Sequence, residues 1–195
     1  MELAGALQVA REVAEIFERL GVPYLVGGSL ASSLHGIPRS TQDADLVVAL
    51  KEQHVRPLVE ALSGSFYVDE EQGRNAVRRR SSFNVIHLAS LLKVDLFVLS
   101  DDLLARQEMA RRQVFELSPE GPSLPVATAE DTVLQKLRWY RLGGGVSDRQ
   151  WNDLLGVLKV QRGRLDQDYL RSGALHLEVA DLLDRALAEA GFTSA

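Results

Sequence analysis

The chain has 195 residues, of which 46% are hydrophobic and 25% are charged, and it carries a net charge of −5 at pH 7. This composition is that of an ordinary globular protein, and the acidic balance argues against a chain-wide nucleic-acid-binding surface. The lack of cysteine excludes disulfides and thiolate metal sites and fits a cytoplasmic protein. No apolar run approaches the roughly 18 residues of a membrane span, and the charged N-terminus is not typical of a signal peptide, so we expect no membrane association.

The first predicted elements lead into a glycine pair. An amphipathic helix is expected over residues 2–20, followed by a short apolar strand, residues 24–26. Gly27 and Gly28 follow that strand, and glycines allow the backbone to come close to a bulky group. Ser29 is expected to cap a small helix that ends at His35, and the N-terminus of a helix attracts anions such as phosphate.

Two acids open the next predicted strand. Asp43 and Asp45 precede the apolar run Leu46 to Ala49, and residues two apart in a strand point to the same side. Their mutual repulsion costs stability, which a hard divalent cation would remove; Mg²⁺ prefers a few carboxylates together with substrate phosphates. A phosphate-binding turn facing a carboxylate pair therefore indicates metal-assisted phosphoryl chemistry.

The middle of the chain contains a basic stretch. A helix is predicted over residues 52–62, and residues 66–68 are either a short strand or a helix extension. Residues 70–80 are polar and include four arginines. This stretch is interpreted either as a solvated helix or loop, or as a contact surface for phosphate or RNA.

A β-hairpin is predicted from residues 83–88 and 92–99. Its second strand places Lys93, Asp95 and Phe97 on one face. An acid at the centre of an apolar strand needs a partner, because burying it alone is costly. That partner is either a metal ion shared with Asp43 and Asp45 or an arginine.

The remaining chain is predicted to be mainly helical. Ser100 or Asp101 is expected to cap a helix that runs to Arg111, and Thr128 is expected to cap another. The further expected elements are a strand at 113–117, a turn at Gly121–Pro122, helices at 129–142, from Asp148, at 165–173 and at 175–190, and a flexible break at 143–145. We therefore expect a core of residues 1–127 and a helical C-terminal region of residues 128–195.

The acidic and glycine motifs together resemble a known signature. Gly27-Gly28-Ser29, thirteen intervening residues, Asp43-x-Asp45 and Asp95 on a later strand are similar to the signature of the DNA polymerase β-like nucleotidyltransferase superfamily. The motif Arg39-x-Thr41-x-Asp43-x-Asp45 most closely resembles that of the AbiEii/MNT-like branch, which includes toxin–antitoxin components.

The resemblance implies a fold and an activity. The fold would be α/β (α+β), with a small mixed β-sheet flanked by helices and a helical C-terminal region. The reaction would be the Mg²⁺-dependent transfer of a nucleoside monophosphate from an NTP to the hydroxyl of an unidentified acceptor, which is RNA, protein or a small molecule. The alternative is a non-catalytic nucleotide-binding protein or toxin–antitoxin partner with the same fold.

The resemblance also implies residue roles. Asp43, Asp45 and Asp95 would be catalytic and would bind one or two Mg²⁺ ions, or Mn²⁺ in their place. The implied substrate-binding residues are Gly27, Gly28, Ser29, Arg39, Thr41 and Lys136. Arg39 would either contact phosphate or anchor its loop, and Asp153 resembles a late acid of the branch with either a functional or a structural role. A cognate toxin or antitoxin is an implied partner.

Overall fold

The computed structural model describes residues 3–117 and 123–192. The chain divides into two compact units, one containing the described residues of Met1–Leu30 and Ser40–Ala127, the other those of Ala31–Arg39 and Thr128–Ala195. The division falls within the second helix. The described elements, in chain order, are α1 (Leu3–Arg19), β1 (Tyr24–Val26), α2 (Gly28–His35), β2 (Asp43–Val48), α3 (Glu52–Leu62), β3 (Phe66–Tyr67), α4 (Glu70–Arg79), β4 (Ser82–His87), β5 (Lys93–Val98), α5 (Leu103–Arg111), β6 (Gln113–Glu116), β7 (Ser123–Val126), α6 (Ala129–Leu142), α7 (Asp148–Val160), α8 (Gln167–His176) and α9 (Ala180–Glu189).

A mixed β-sheet forms the centre of the first unit. Its seven described strands are ordered β3-β4-β5-β2-β1-β7-β6. The β2–β5 and β1–β7 pairs are parallel, and the other neighbouring pairs are antiparallel. The predicted hairpin is confirmed, since β4 and β5 pair antiparallel. The mixed sheet with helices also confirms the predicted fold class.

The two faces of the central strands differ in polarity. Ala44, Leu46 and Val48 of β2 are buried, as are Val94, Leu96 and Val98 of β5. These residues alternate with the acids of both strands, because successive side chains of a strand point to opposite faces. One face of the central strands is therefore apolar throughout. The other carries the candidate site at one end and, around Val47, a smaller apolar cluster with Leu25, Met109 and Ala127.

Three local predictions need correction. Ser29 does not cap α2, because that helix already begins at Gly28 and Ser29 lies in its first turn. The cap of α5 is Asp102, whose carboxylate accepts from the backbone N–H of Ala105, and not Ser100 or Asp101. The apolar residues before Thr128 form a strand, β7, that was not predicted, and the predicted Gly121–Pro122 turn lies outside the described residues.

The second unit is built around α6. Thr128 caps this helix as predicted, and its hydroxyl accepts from the backbone N–H of Asp131 at 3.1 Å. Val133, Leu134 and Leu137 are fully or almost fully buried along it. The charged residues Glu130, Asp131 and Lys136 are buried on the same helix.

No helix in the described ranges is both long and apolar enough to cross a bilayer.

Gly36 provides a test of packing in the second unit. An added Cβ would lie 2.7 Å from the backbone nitrogen of Val157 and 2.8 Å from the carbonyl carbon of Gly156. Because backbone atoms cannot move aside easily, Gly36→Ala should lower the free energy of unfolding by about 1–3 kcal/mol in a urea titration. Gly64→Ala is the matched control, since an added Cβ meets nothing within 4 Å there. Equal stability of the two variants would contradict the packing described.

Candidate active site

The register between β2 and β5 brings the predicted acids together. Asp45 lies directly opposite Asp95, and Asp43 lies opposite Lys93. Directly opposed residues on neighbouring strands project to the same face, so all four side chains share one face of the sheet. Asp43 and Asp95 are both in contact with the Lys93 ammonium. The three acids are therefore neighbours on adjacent strands.

The glycine turn is packed directly against Asp45. The Gly27 N–H donates to the Asp45 carbonyl oxygen at 2.8 Å, and the Ser29 N–H donates to Asp45 Oδ2 at 3.4 Å. Gly28 has a φ of 55°, and an added Cβ would lie 1.8 Å from Asp45 Oδ2. A side chain at Gly28 is therefore incompatible with the present position of the carboxylate. The N-terminus of α2 meets the acidic face of the sheet at this point.

Lys93 lies between two of the acids. Its Nζ is 2.8 Å from Asp95 Oδ2 and 3.9 Å from Asp43 Oδ1. The hydrogen bond to Asp95 raises the pKa of Lys93 above its ordinary value, although partial burial opposes this. The ammonium therefore stays charged at neutral pH and offsets the repulsion between the carboxylates.

The three acids have the donor chemistry of a magnesium site but are not arranged as one. Across residues 3–117 and 123–192, no group of three or more His, Cys, Asp or Glu side chains is placed to hold a metal ion. Asp45 faces the glycine turn, while Asp43 and Asp95 face Lys93. The donors are nevertheless all carboxylate oxygens, which hard cations prefer, and a cation already lies between two of them. Asp43, Asp45 and Asp95 therefore fit a divalent cation by chemistry, after a change in side-chain positions.

Thr41 shapes the start of β2. Its buried hydroxyl donates to the Asp43 carbonyl oxygen at 3.0 Å. A threonine that bonds to the backbone two residues ahead constrains the local turn. In the described structure Thr41 therefore acts on the backbone beside Asp43, and substrate binding by its hydroxyl stays a prediction.

Two other predicted substrate-binding residues belong to the second unit. Arg39 donates through Nε to Asp153 Oδ1 at 2.7 Å and through Nη2 to Oδ2 at 2.8 Å. Lys136 Nζ donates to the same Oδ2 at 2.8 Å. The Asp153 side chain is 6% exposed. The structure thus brings Arg39, Lys136 and Asp153 together as a buried charged cluster.

The Asp153 carboxylate is held in its ionised form. Burial on its own would raise the pKa of Asp153, but hydrogen bonds from Arg39 and Lys136, with their positive charges, lower it below the ordinary value. This arrangement supports the interpretation of Arg39 as an anchor for its loop. Asp153 has at least a structural role.

Two acids in the first turn of α6, the helix that carries Lys136, also have structural partners. Asp131 Oδ2 accepts from the Thr128 hydroxyl and Oδ1 accepts from the Tyr169 hydroxyl, both at 2.6 Å. Glu130 Oε1 accepts from the backbone N–H of Asp166 at 2.9 Å. These bonds tie the start of α6 to α8.

The basic stretch is a solvated helix with paired arginines. Arg74 and Arg78 both pair with Glu52, at 3.5 and 2.7 Å. Arg80 pairs with Asp101 at 3.1 Å. Arg74 also pairs with Glu70 at 2.6 Å, so three acids pair with three of the four arginines. This pairing favours the solvated-helix interpretation over a nucleic-acid surface.

Two residues of the acidic face were not predicted as part of the site. Lys93 was placed on the same face as Asp95 by strand alternation, but the sequence alone did not reveal its contact with Asp43. Asn84 lies directly opposite Asp95 on β4, so Asn84, Asp95 and Asp45 form a row across three strands. Only the strand register reveals this row, and no short-range pattern predicts it.

The architecture is that of the nucleotidyltransferases, and the chain has a nucleotidyltransferase-like fold. It is similar to a nucleotidyltransferase-like protein from Paracoccidioides brasiliensis, with a TM-score of 0.58 and 15% identity over 94% of this chain and 93% of that chain. It is also similar to the antibiotic-resistance factor ANT(2'')-Ia in its solution structure, with a TM-score of 0.53, 13% identity and 97% coverage of both chains. The crystal structure of ANT(2'')-Ia with adenylyl-2''-tobramycin gives a TM-score of 0.57 and 12% identity over 88% of this chain and 95% of that chain. No family model and no curated protein matches the sequence.

Substitution of Gly28 should be far more costly than substitution of its neighbour. Gly28→Ala places a methyl group on Asp45 and forces a left-handed backbone conformation, which costs about 1–2 kcal/mol for a residue with a Cβ. We expect a loss of at least that size in the free energy of unfolding, measured by urea denaturation. Gly27→Ala is the matched control, because its Cβ would meet only Leu25 Cδ1, at 4.0 Å. A similar loss in both variants would refute the Gly28–Asp45 contact.

Asp153→Asn should destabilise the protein in a pH-dependent way. Removal of the buried carboxylate leaves Arg39 and Lys136 without their common counter-charge, which should cost about 3–5 kcal/mol at pH 7. Because the pKa of Asp153 is lowered on folding, its stabilising effect is present above the ordinary aspartate pKa and is lost as the pH falls through the folded value. The difference in the free energy of unfolding between wild type and Asp153→Asn, measured by urea denaturation across pH, should therefore become smaller below about pH 4.

The control for this prediction is an exposed ion pair. Arg56 and Glu60 pair at 2.9 Å with side chains that are 72% and 65% exposed. Glu60→Gln should change the free energy of unfolding by less than about 0.5 kcal/mol. If the loss of unfolding free energy in Asp153→Asn did not depend on pH, the ionised Asp153 carboxylate would not be the source of that stability.

Proposed function

We propose that the protein is a Mg²⁺-dependent nucleotidyltransferase that transfers a nucleoside monophosphate from an NTP to an acceptor hydroxyl. The observation that carries this proposal is the position of Asp45, which faces Asp95 across a parallel strand pair and abuts the Gly28 turn. A site of this kind places carboxylates next to a helix N-terminus, whose N–H groups and dipole favour a triphosphate. The nucleotidyltransferase-like fold supports the same conclusion.

Each element of the site has a distinct role in this proposal. The N-terminus of α2, with Gly27, Gly28 and Ser29, binds the triphosphate. The two glycines let the triphosphate approach the backbone, and Ser29 binds it once the Asp45 side chain turns away. Asp43, Asp45 and Asp95 would hold one or two Mg²⁺ ions, or Mn²⁺, and the metal would supply neutralisation of the phosphate charge. Asp95 lies on β5, next to β2, and is suited to accept the proton of the acceptor hydroxyl. Since phosphoryl transfer needs chiefly positioning and charge neutralisation, these residues form a sufficient set.

We propose a small-molecule hydroxyl as the acceptor. ANT(2'')-Ia has been crystallised with adenylyl-2''-tobramycin, a nucleotidylated small molecule, and it shares the fold over most of both chains. The net charge of −5 and the paired arginines of α4 offer little attraction to RNA. RNA and protein are tested as alternative acceptors in the same experiment. We place the reaction in the cytoplasm, in keeping with a chain that has no cysteine.

The contact between Lys93 and two of the acids favours a second candidate. An ammonium that bridges Asp43 and Asp95 neutralises the site without a metal. Under this second proposal the protein binds nucleotide without catalysis and acts as a partner of a toxin or antitoxin, as in the AbiEii/MNT-like branch. Activity measurements separate the two candidates.

The test is nucleotide transfer with matched variants. The protein is incubated with Mg²⁺ and each of the four α-labelled NTPs, against tRNA, protein extract and a panel of aminoglycosides and other polyhydroxylated small molecules. We expect label in one small-molecule product together with release of pyrophosphate. Asp45→Asn should reduce the rate about 100-fold or more, as for the loss of one charge-stabilising group.

Asp101→Asn is the control substitution. Asp101 pairs with Arg80 on the surface and takes no part in the acidic face, so its loss should leave the rate within about twofold of wild type. Label in tRNA or protein would reassign the acceptor. Binding of NTP without any labelled product would overturn catalysis and support the second candidate.

A further inference from the structure

The position of Lys93 indicates a role beyond that of an ordinary surface ion pair. Its ammonium contacts Asp95 Oδ2 at 2.8 Å and approaches Asp43 Oδ1 to 3.9 Å. These are two of the three carboxylates that the proposed function assigns to the metal. One positive charge thus lies where the proposed divalent cation would bind.

We propose that Lys93 is a built-in counterion that holds the cation position between Asp43 and Asp95 and is displaced when a divalent ion binds. The inference rests on the proposed function, because it concerns the same carboxylates. An Asp95 oxygen that accepts a hydrogen bond from an ammonium cannot also ligate Mg²⁺ at about 2.0–2.1 Å without strong repulsion between the two cations. Lysine and metal must therefore compete.

The positions of Lys93, Asp95 and Asp43 on paired strands hold Lys93 close to both acids. Lys93 and Asp95 are two residues apart on β5, so their side chains always share a face. Asp43 lies opposite Lys93 in the parallel register. The contact therefore does not depend on a flexible loop, and the ammonium returns to the acids whenever the metal leaves.

Lys93 also has a route out of the site. Its side chain is 39% exposed. Because the lysine stem is flexible, the ammonium can move to water without being buried unpaired. Its release costs the ion pairs but needs no unfolding of the strand. Lys93 is thus a positioning residue that keeps the acids together in the metal-free protein and weakens metal binding.

The experiment is a Mn²⁺ titration of the 195-residue chain without nucleotide at low ionic strength. Binding is measured by calorimetry and by the loss of the free-Mn²⁺ EPR signal. Lys93→Met removes the charge but keeps most of the side-chain volume. We expect it to bind Mn²⁺ about fivefold more tightly than wild type, which corresponds to the roughly 1 kcal/mol between unit charges 4 Å apart in water. Lys93→Arg, which retains the cation, should gain much less affinity than Lys93→Met.

Controls separate this inference from the proposed function. Lys159→Met alters an exposed lysine of α7 and should leave the affinity unchanged. Measurable Mn²⁺ binding that is equal or weaker in Lys93→Met would overturn the role of Lys93 and leave the metal proposal intact. No binding by wild type or Lys93→Met, even with NTP present, would overturn both.

A measurement on the wild-type chain covers the case in which Lys93→Met does not fold. The acetylation rate of Lys93 is followed by mass spectrometry, with Lys159 as internal reference. Saturating Mn²⁺ should raise the relative rate at Lys93 at least twofold, because the displaced amine loses its carboxylate partners. An unchanged or lower rate would overturn the proposal.

Discussion

The contact between Asp45 and the turn at Gly28 is the constraint on which the candidate site depends. An added Cβ at Gly28 would lie 1.8 Å from Asp45 Oδ2, so strand β2 and helix α2 can approach only because that position has no side chain. The Gly27 N–H bonds to the Asp45 carbonyl oxygen, and this bond fixes the turn against the strand. The same approach brings the N-terminus of a helix beside a carboxylate, where a phosphate bound through a cation would also be stabilised.

The parallel pairing of β2 and β5 brings Asp95 beside Asp43 and Asp45. It thereby also creates repulsion among the three carboxylates. In this register two acids from β2 and one from β5 lie on one face of the sheet. Like charges placed this close destabilise the sheet unless a cation lies among them. Lys93 supplies that charge from within the strand, and a divalent ion would supply more. The fold thus tolerates the acidic face without a metal, and under the proposed function a metal would replace a partner that is already present.

Local patterns in the sequence predicted much of this arrangement, and long-range pairing determined the rest. Strand alternation correctly placed Lys93 and Asp95 on one face, because side-chain direction in a strand follows from position alone. The bounds of α3 and α6 were also predicted correctly, since their periodic apolar residues and flanking breaks are local. The strand β7 was missed although it pairs with nearby β6 as well as with β1, because a proline within a short apolar run, here Pro125, argues against a strand. The row of Asn84, Asp95 and Asp45, like the contact of Lys93 with Asp43, depends on strand register between distant segments, which no local pattern encodes.

Arg39 shows how a motif position and a physical role can differ. Its place a few residues before Asp43 left a phosphate contact and a loop anchor both open, and its guanidinium forms a two-point ion pair with the buried Asp153, which also binds Lys136. The three side chains together carry one net positive charge, since two cations share one carboxylate. Releasing Arg39 to a substrate would leave Asp153 with fewer hydrogen bonds in a buried setting, which is costly. Any phosphate bound by Arg39 or Lys136 must therefore add to this cluster, using donors that Asp153 does not occupy, and not replace Asp153.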